Sequence, residues 1–274
     1  MVNSVARIFA VANQKGGVGK TTTTINLAAS LARMQKRVLV VDLDPQGNAT
    51  MGSGIDKNSL QNGTYEVLTA QSETATAVVQ AQEAGYALLP ANGDLTAAEV
   101  ELLDMEEKEQ RLRRALQAIA ADYDYILIDC PPSLNMLTLN ALVAADAVLI
   151  PMQCEYYALE GLSALSNTIA AIQQALNPGL KIEGLIRTMF DPRNNLTQQV
   201  SEQLKQHFGD AVYRTVIPRN VRLAEAPSHG LPVIAYDKAS SGALAYLALA
   251  GEILRRSAEP GQTSAESLQS ASEA

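Results

Sequence analysis

Lys15-Gly16-Gly17-Val18-Gly19-Lys20-Thr21 is the stretch on which the fold turns. Before it stands a short apolar run, Arg7 to Asn13, which reads as a buried strand. After it, Thr21 to Met34 reads as a helix. Glycines between a strand and a helix let the backbone turn tightly and present bare N–H groups. The helix start adds the positive end of its dipole, so the segment predicts a phosphate cradle.

Outward from this loop, apolar strands alternate with helices. Strands are expected at Arg37–Asp42, Tyr86–Pro90, Tyr125–Asp129, Ala147–Pro151, Lys181–Thr188 and Ala211–Ile217, and a last one at Val233–Tyr236. Helices are expected at Lys108–Ala121, Leu159–Leu176, Leu196–Phe208 and Ala243–Arg256. Continuous apolar strands separated by helices predict an α/β fold, a mostly parallel twisted sheet with helices on both faces. Residues 1–256 form one such P-loop NTPase domain, and the Ser/Ala/Glu-rich residues 257–274 read as a disordered tail.

Composition narrows the function classes. A chain of 274 residues with 47% apolar content can bury a large core. The net charge of −8 argues against a protein that coats nucleic acid with its whole surface. Yet residues 181–222 hold seven Lys/Arg against four Asp/Glu, a local basic stretch. Residues 99–109 are acidic and read as a solvated helix face. Cys130 and Cys154 form no CxxC pair, which gives a metal cluster little support. No signal peptide or run of about 18 apolar residues is present, so a reduced, cytoplasmic protein is expected.

The chemistry expected of the loop is ATP binding with Mg²⁺. Lys20 would reach the β- and γ-phosphates, and Thr21 would place its hydroxyl on the metal. Gln14 stands where the usual GxxxxGK[ST] pattern has glycine, and a second lysine, Lys15, precedes the glycine pair. Two apolar strands end in acids: Asp129, followed by Cys130-Pro131-Pro132, and Asp42 with Asp44 in the string VVDLDPQGN. Ligands bind outside the carboxyl ends of such strands. Asp129 is expected to orient the water shell of the metal, and Asp42 or Asp44 to position the attacking water.

KGGVGKT, VDLDPQGN and IDCPPS, with TMFDPRNNL and IPRNVRLAEAPSHG later, together resemble the ParA/Soj branch of the deviant Walker A ATPases from about Arg7 to Arg256. The resemblance implies that Lys15 reaches across a nucleotide-sandwich dimer, and that Gly16 stays small so that two protomers can meet. It implies that Gly17, Val18, Gly19, Lys20, Thr21 and Thr22 hold the nucleotide phosphates. Asp44 is implied for the hydrolytic water, and Thr21, Asp44 and Asp129 for the Mg²⁺ site. Thr188, Met189, Pro218, Arg219 and Asn220 match the loops that hold adenine. The family's function would be an ATP-dependent switch for chromosome or plasmid segregation. The ATP-bound homodimer would bind DNA without sequence preference, on the nucleoid, and a DNA-bound activator of the ParB type would stimulate hydrolysis. Arg187, Arg193, Arg219 and Arg222 are the candidate DNA contacts, because a guanidinium fork bonds two phosphate oxygens at once. The alternative is a MinD-like membrane-associated ATPase. It requires a basic amphipathic C-terminal helix, which the acidic Ser/Ala ending does not offer.

Overall fold

The computed structural model describes residues 6–258. Eight strands form one sheet: β1 Arg7–Val11, β2 Val38–Asp42, β3 Val79–Ala81, β4 Tyr86–Leu89, β5 Tyr125–Asp129, β6 Ala147–Gln153, β7 Lys181–Phe190 and β8 Val212–Pro218. Their order is β3-β4-β2-β5-β1-β6-β7-β8. Every neighbouring pair is parallel except β3 with β4. The sheet is therefore mostly parallel, as the run of apolar strands required.

Five longer helices cover it: α1 Lys20–Arg33, α2 Met136–Ala144, α3 Ala158–Ala175, α4 Asn195–Phe208 and α5 Ser241–Ala258. One face packs Ile8, Leu39, Ile126, Val148 and Leu185 of the sheet against α2, α3 and α4. The other packs Phe9, Val40, Leu127, Leu149 and Tyr213 against α1 and α5. Alternate residues of one strand thus go to opposite cores, which is why β1, β2 and β5 are apolar almost throughout.

Register places the chemistry. Val11 lies level with Asp129, and Asp129 with Asp42. Three central strands therefore end together at the carboxyl edge, and the loops that leave them share one side of the molecule.

The outer edge of β8 is closed by a carboxylate. Glu252 of α5 accepts from Arg214 N at 2.8 Å, Thr215 N at 3.0 Å and Thr215 Oγ1 at 2.7 Å. Its own pairing with Arg256 keeps the buried charge compensated.

Several expectations change. Val233–Tyr236 is a helical turn and not a strand. Pro232 O accepts from Ala235 N and Tyr236 N, and Asn26 Oδ1 takes Val233 N, so no donor pattern for a sheet remains. The helix expected over Lys108–Ala121 is continuous only from Arg111 to Gln117, with a 3-10 turn on either side. The antiparallel edge strand β3 is additional; three residues are too few to show a period. The acidic run is a short helix, Leu95–Glu101, and a 3-10 turn, not one solvated helix. The last helix continues to Ala258, so residues 257 and 258 of the expected tail are helical and the rest of it lies outside the described residues.

Gly184 in β7 is fixed by contact. A Cβ there would come 2.5 Å from the Tyr213 ring and 2.8 Å from Ala211 O, backbone that cannot yield cheaply. Gly184→Ala should therefore lower stability by about 1–3 kcal/mol, the usual range for overpacking, read as a lower urea midpoint with unchanged slope.

Candidate nucleotide site at the carboxyl edge

The loop between β1 and α1 is shaped by two left-handed glycines, Gly17 at φ 73° and Gly19 at φ 89°. Side chains rarely adopt such angles, so glycine at these two positions is a conformational requirement. Gly19 is also the N-cap of α1, and no side chain bonds the first free N–H groups of that helix. They face a cleft of about 620 Å³. Its walls include Gly16, Gly17, Gly19, Lys20, Thr21 and Thr22 from this loop. Val18 points the other way and is buried. Thr188 Oγ1 donates to Val18 O at 2.7 Å and so braces the loop from β7.

Lys20 lines the cleft although it is only 7% exposed. Its Nζ donates to Lys15 O at 3.2 Å. Burial holds its pKa below the ordinary lysine value, against the pull of the nearby Asp129 charge. An ammonium can donate three bonds, so this one has capacity left for phosphate oxygens.

Asp129 ends β5 and is fully buried. It accepts from Thr21 Oγ1 at 2.7 Å and from Thr24 Oγ1 at 3.0 Å. Burial pushes its carboxyl up to about 8, and the Asp42 charge adds to the rise. Asp42, also fully buried, is pushed up to about 6 by burial, against the bonds it accepts from Thr50 and from Asp44 N. Thr50 N and Oγ1 hold Asp42 Oδ2 at 2.8 and 2.7 Å. That grip makes Asp42 a structural anchor of the loop and leaves Asp44, which lines the cleft half-exposed, as the acid free to act on a ligand.

No group of three or more His, Cys, Asp or Glu gathers for a metal among the described residues. A Mg²⁺ ion does not need one. It keeps most of its waters and takes one or two protein oxygens with the phosphates. Thr21 lines the cleft and its hydroxyl bonds Asp129, which is buried directly behind it, so a hydroxyl backed by a carboxylate is there for that ion and its waters.

Lys15 and Gly16 lie at the open surface. Lys15 Nζ pairs with Glu155, both about half-exposed. Among the described residues a Cβ on Gly16 would meet nothing within 4 Å, so no packing contact among them demands glycine there.

Of the residues expected around adenine, Met189 lines the cleft, at an unusual φ of 49°. Thr188 is buried against the phosphate loop. Pro218, Arg219 and Asn220 are not among the cleft walls; Asn220 caps the short helix Val221–Glu225 and bonds Ser241. The walls also hold residues that sequence reasoning did not assign to the site, among them Gln46, Asn48, Thr96, Glu99, Pro132 and Ser133. Pro132 and Ser133 follow directly from Asp129, and Thr24 lies one helical turn beyond Thr21, so both were within reach of a spacing argument. Glu99, which accepts from Asn135 Nδ2 at 2.6 Å, was not, because only the fold carries it to the cleft.

The DNA candidates divide. Arg187 is corrected: it is 4% exposed, with its guanidinium donating to Ser201 Oγ, Tyr213 O and Arg214 O, and cannot meet a ligand at the surface. Arg193, Arg219 and Arg222 are exposed. Arg193 forks onto Asp191, and Arg222 pairs with Glu225 and Asp237.

A sheet of this order with this loop at its carboxyl edge defines a P-loop NTPase. A family model described as "AAA domain" matches residues 6–182. The chain is 54% identical over 249 residues to the sporulation initiation inhibitor protein Soj of Bacillus subtilis, covering 91% of this chain and 98% of that one. It is 53% identical over 253 residues to the chromosome partitioning protein ParA of Myxococcus xanthus, covering 92% and 89%. A solved structure titled cobyrinic acid a,c-diamide synthase from Mycobacterium smegmatis, with bound ATP analog and magnesium, matches at TM-score 0.83 and 40% identity over 94% of this chain and 98% of that one. The chain belongs to the ParA/Soj family of chromosome-partitioning ATPases.

The buried acids give a pH signature. Asp42 and Asp129 bind protons more readily folded than unfolded. Their contribution to stability is whole below the ordinary carboxylate range and is lost as pH rises toward about 8. The nucleotide-free chain should melt at a lower temperature at about pH 8.5 than at about pH 6, and Asp129→Asn, which removes the titrating carboxyl and keeps an acceptor for one of the two threonines, should flatten that fall.

Proposed function

We propose that this chain is an ATP-gated DNA switch for chromosome or plasmid segregation. The observation that carries the reading is the surface position of Lys15 and Gly16 beside a buried Lys20. One lysine is built into its own cleft, and the other stands exposed beside it, loosely paired with Glu155 and within reach of a second molecule.

In this cycle Lys20 and the first N–H groups of α1 bind the phosphates of ATP. Thr21 and Asp129 would hold Mg²⁺, which when bound would neutralise charge on the phosphate oxygens. Two protomers close face to face, and each Lys15 exchanges Glu155 for the phosphates in the other's cleft. An exposed pair of this kind is weak and screened by salt, so it does not lock Lys15 in place. A second cation at the γ-phosphate steadies charge that develops there, as an arginine finger does. Asp44 orients the attacking water. The closed dimer joins the exposed Arg193, Arg219 and Arg222 of both protomers into one DNA surface; the ion pairs of Arg193 and Arg222 are exposed too and yield to phosphate. A DNA-bound activator of the ParB type then promotes hydrolysis, and the dimer opens and releases the nucleoid.

The membrane alternative has less to support it. Arg256 of α5 stacks over the Tyr213 ring at 4.0 Å and pairs with Glu252, so it is not free to meet lipid headgroups. No described helix is long and apolar enough to cross a membrane. Cys130 and Cys154 are both buried, and burial pushes both thiols up, so neither offers a nucleophilic thiolate.

Two experiments test the switch. Gly16→Val should fold, melt as wild type and bind ATP, yet sediment as a monomer with ATP; a dimer of normal affinity would remove Gly16 from the interface. Asp44→Ala, sedimented with random-sequence DNA under ATP, ADP and no nucleotide at two salt concentrations, should bind only with ATP and less at high salt. Arg222→Glu in that background should bind nucleotide unchanged and lose DNA. Binding in no state would retain the ATPase and overturn the DNA reading.

A further inference from the structure

A second cleft, of about 450 Å³, opens where β7, β8 and α4 meet, on the opposite side of the sheet from α1 and α5. Its walls include Arg187, Gln198, Ser201, Glu202, Lys205 and Arg214. The nucleotide chemistry uses none of them.

Arg187 is the unusual group. It is 4% exposed, and no carboxylate lies within ion-pair distance of it among the described residues. Its partners are neutral oxygens, and its Nε has no partner at all. A buried, unpaired charge is costly and ordinarily requires an opposite charge nearby. Above it at the rim stand Lys205 and Arg214, both exposed. Among the described residues Lys205 pairs with Glu202 alone, three residues away on the same helix. The Arg214 guanidinium has no ion pair among the described residues. Three cations thus line a concave site whose walls hold one exposed carboxylate, Glu202; the Glu252 charge also acts on Arg187 but is itself paired with Arg256. The wall also includes Pro192, the neighbour of Arg193, and Gln198 Nε2 donates to Pro192 O. The cleft therefore continues directly from the loop that carries Arg193.

We infer that this cleft seats a backbone phosphate of duplex DNA, with Lys205 and Arg214 as the contacting groups and Arg187 as the buried charge that raises the potential beneath them. This inference rests on the DNA reading above and extends its surface from the Arg193 loop onto α4 and β8. Arg187 itself does not touch the phosphate. Its field acts through the low-dielectric floor, where it is screened less than an exposed charge. Glu202 competes with the phosphate for Lys205, so its removal should strengthen binding, an effect of opposite sign to removal of the cations.

The test is fluorescence anisotropy of a labelled random-sequence duplex with the full chain and a non-hydrolysable ATP analogue across a salt series. Lys205→Gln with Arg214→Gln should weaken binding by about tenfold or more, and reduce the log–log salt slope by about one for each phosphate no longer neutralised, with nucleotide affinity unchanged. Glu202→Gln should tighten binding severalfold. Wild-type binding with an unchanged slope in the double variant, or with no gain in Glu202→Gln, overturns the phosphate seat and leaves the switch standing. A wild-type chain that binds no duplex overturns both.

Discussion

Asp129 joins the two halves of the nucleotide site. Its carboxylate lies fully buried at the end of β5 and accepts hydroxyls from two successive turns of α1. That grip fixes the rotation of α1 about its axis, and with it the direction of the phosphate loop and of Lys20. The parallel register sets the rest, since β1, β2 and β5 end level and bring Asp42 and Asp129 together. Burial pushes both carboxyls up, and the Asp42 charge raises Asp129 further. The site holds this repulsion because the loops around it are braced from elsewhere, by Thr50 on Asp42 and by Thr188 on the loop itself.

The three lysine and arginine environments differ in ways that residue type does not reveal. Lys20 is buried and bonded to its own loop, Lys15 is exposed and loosely paired, and Arg187 is buried among neutral oxygens. A buried cation sets a fixed potential; an exposed one can change partners. The proposed cycle of closing on a second copy and letting go would use both kinds. The acidic whole, at −8, makes local concentration of positive charge the only route to a nucleic acid surface.

Much of this was legible in the chain itself. Gly17 and Gly19 are required by their left-handed angles, and their place between a strand and a helix announces the cradle. Apolar β1, β2 and β5, each buried on both faces, announce a parallel sheet. Asp44 and Asp129 are marked by standing at strand ends. These features are local: each follows from a backbone angle, a helix dipole or a strand covered on two sides, and such constraints are written into consecutive residues.

Tertiary structure decided what depends on distant segments. Arg187 reads as one more surface arginine in a basic stretch, and only the packing of α4 and β8 over it makes it a core residue. Val233–Tyr236 has strand-like residues, but Pro232 O and Asn26 Oδ1 take its amides. Glu99 belongs to an acidic run and becomes a wall of the nucleotide cleft because Asn135, 36 residues away, bonds it. Exposure and hydrogen-bond partnership are properties of what folds against a residue, and no window of sequence contains that surface.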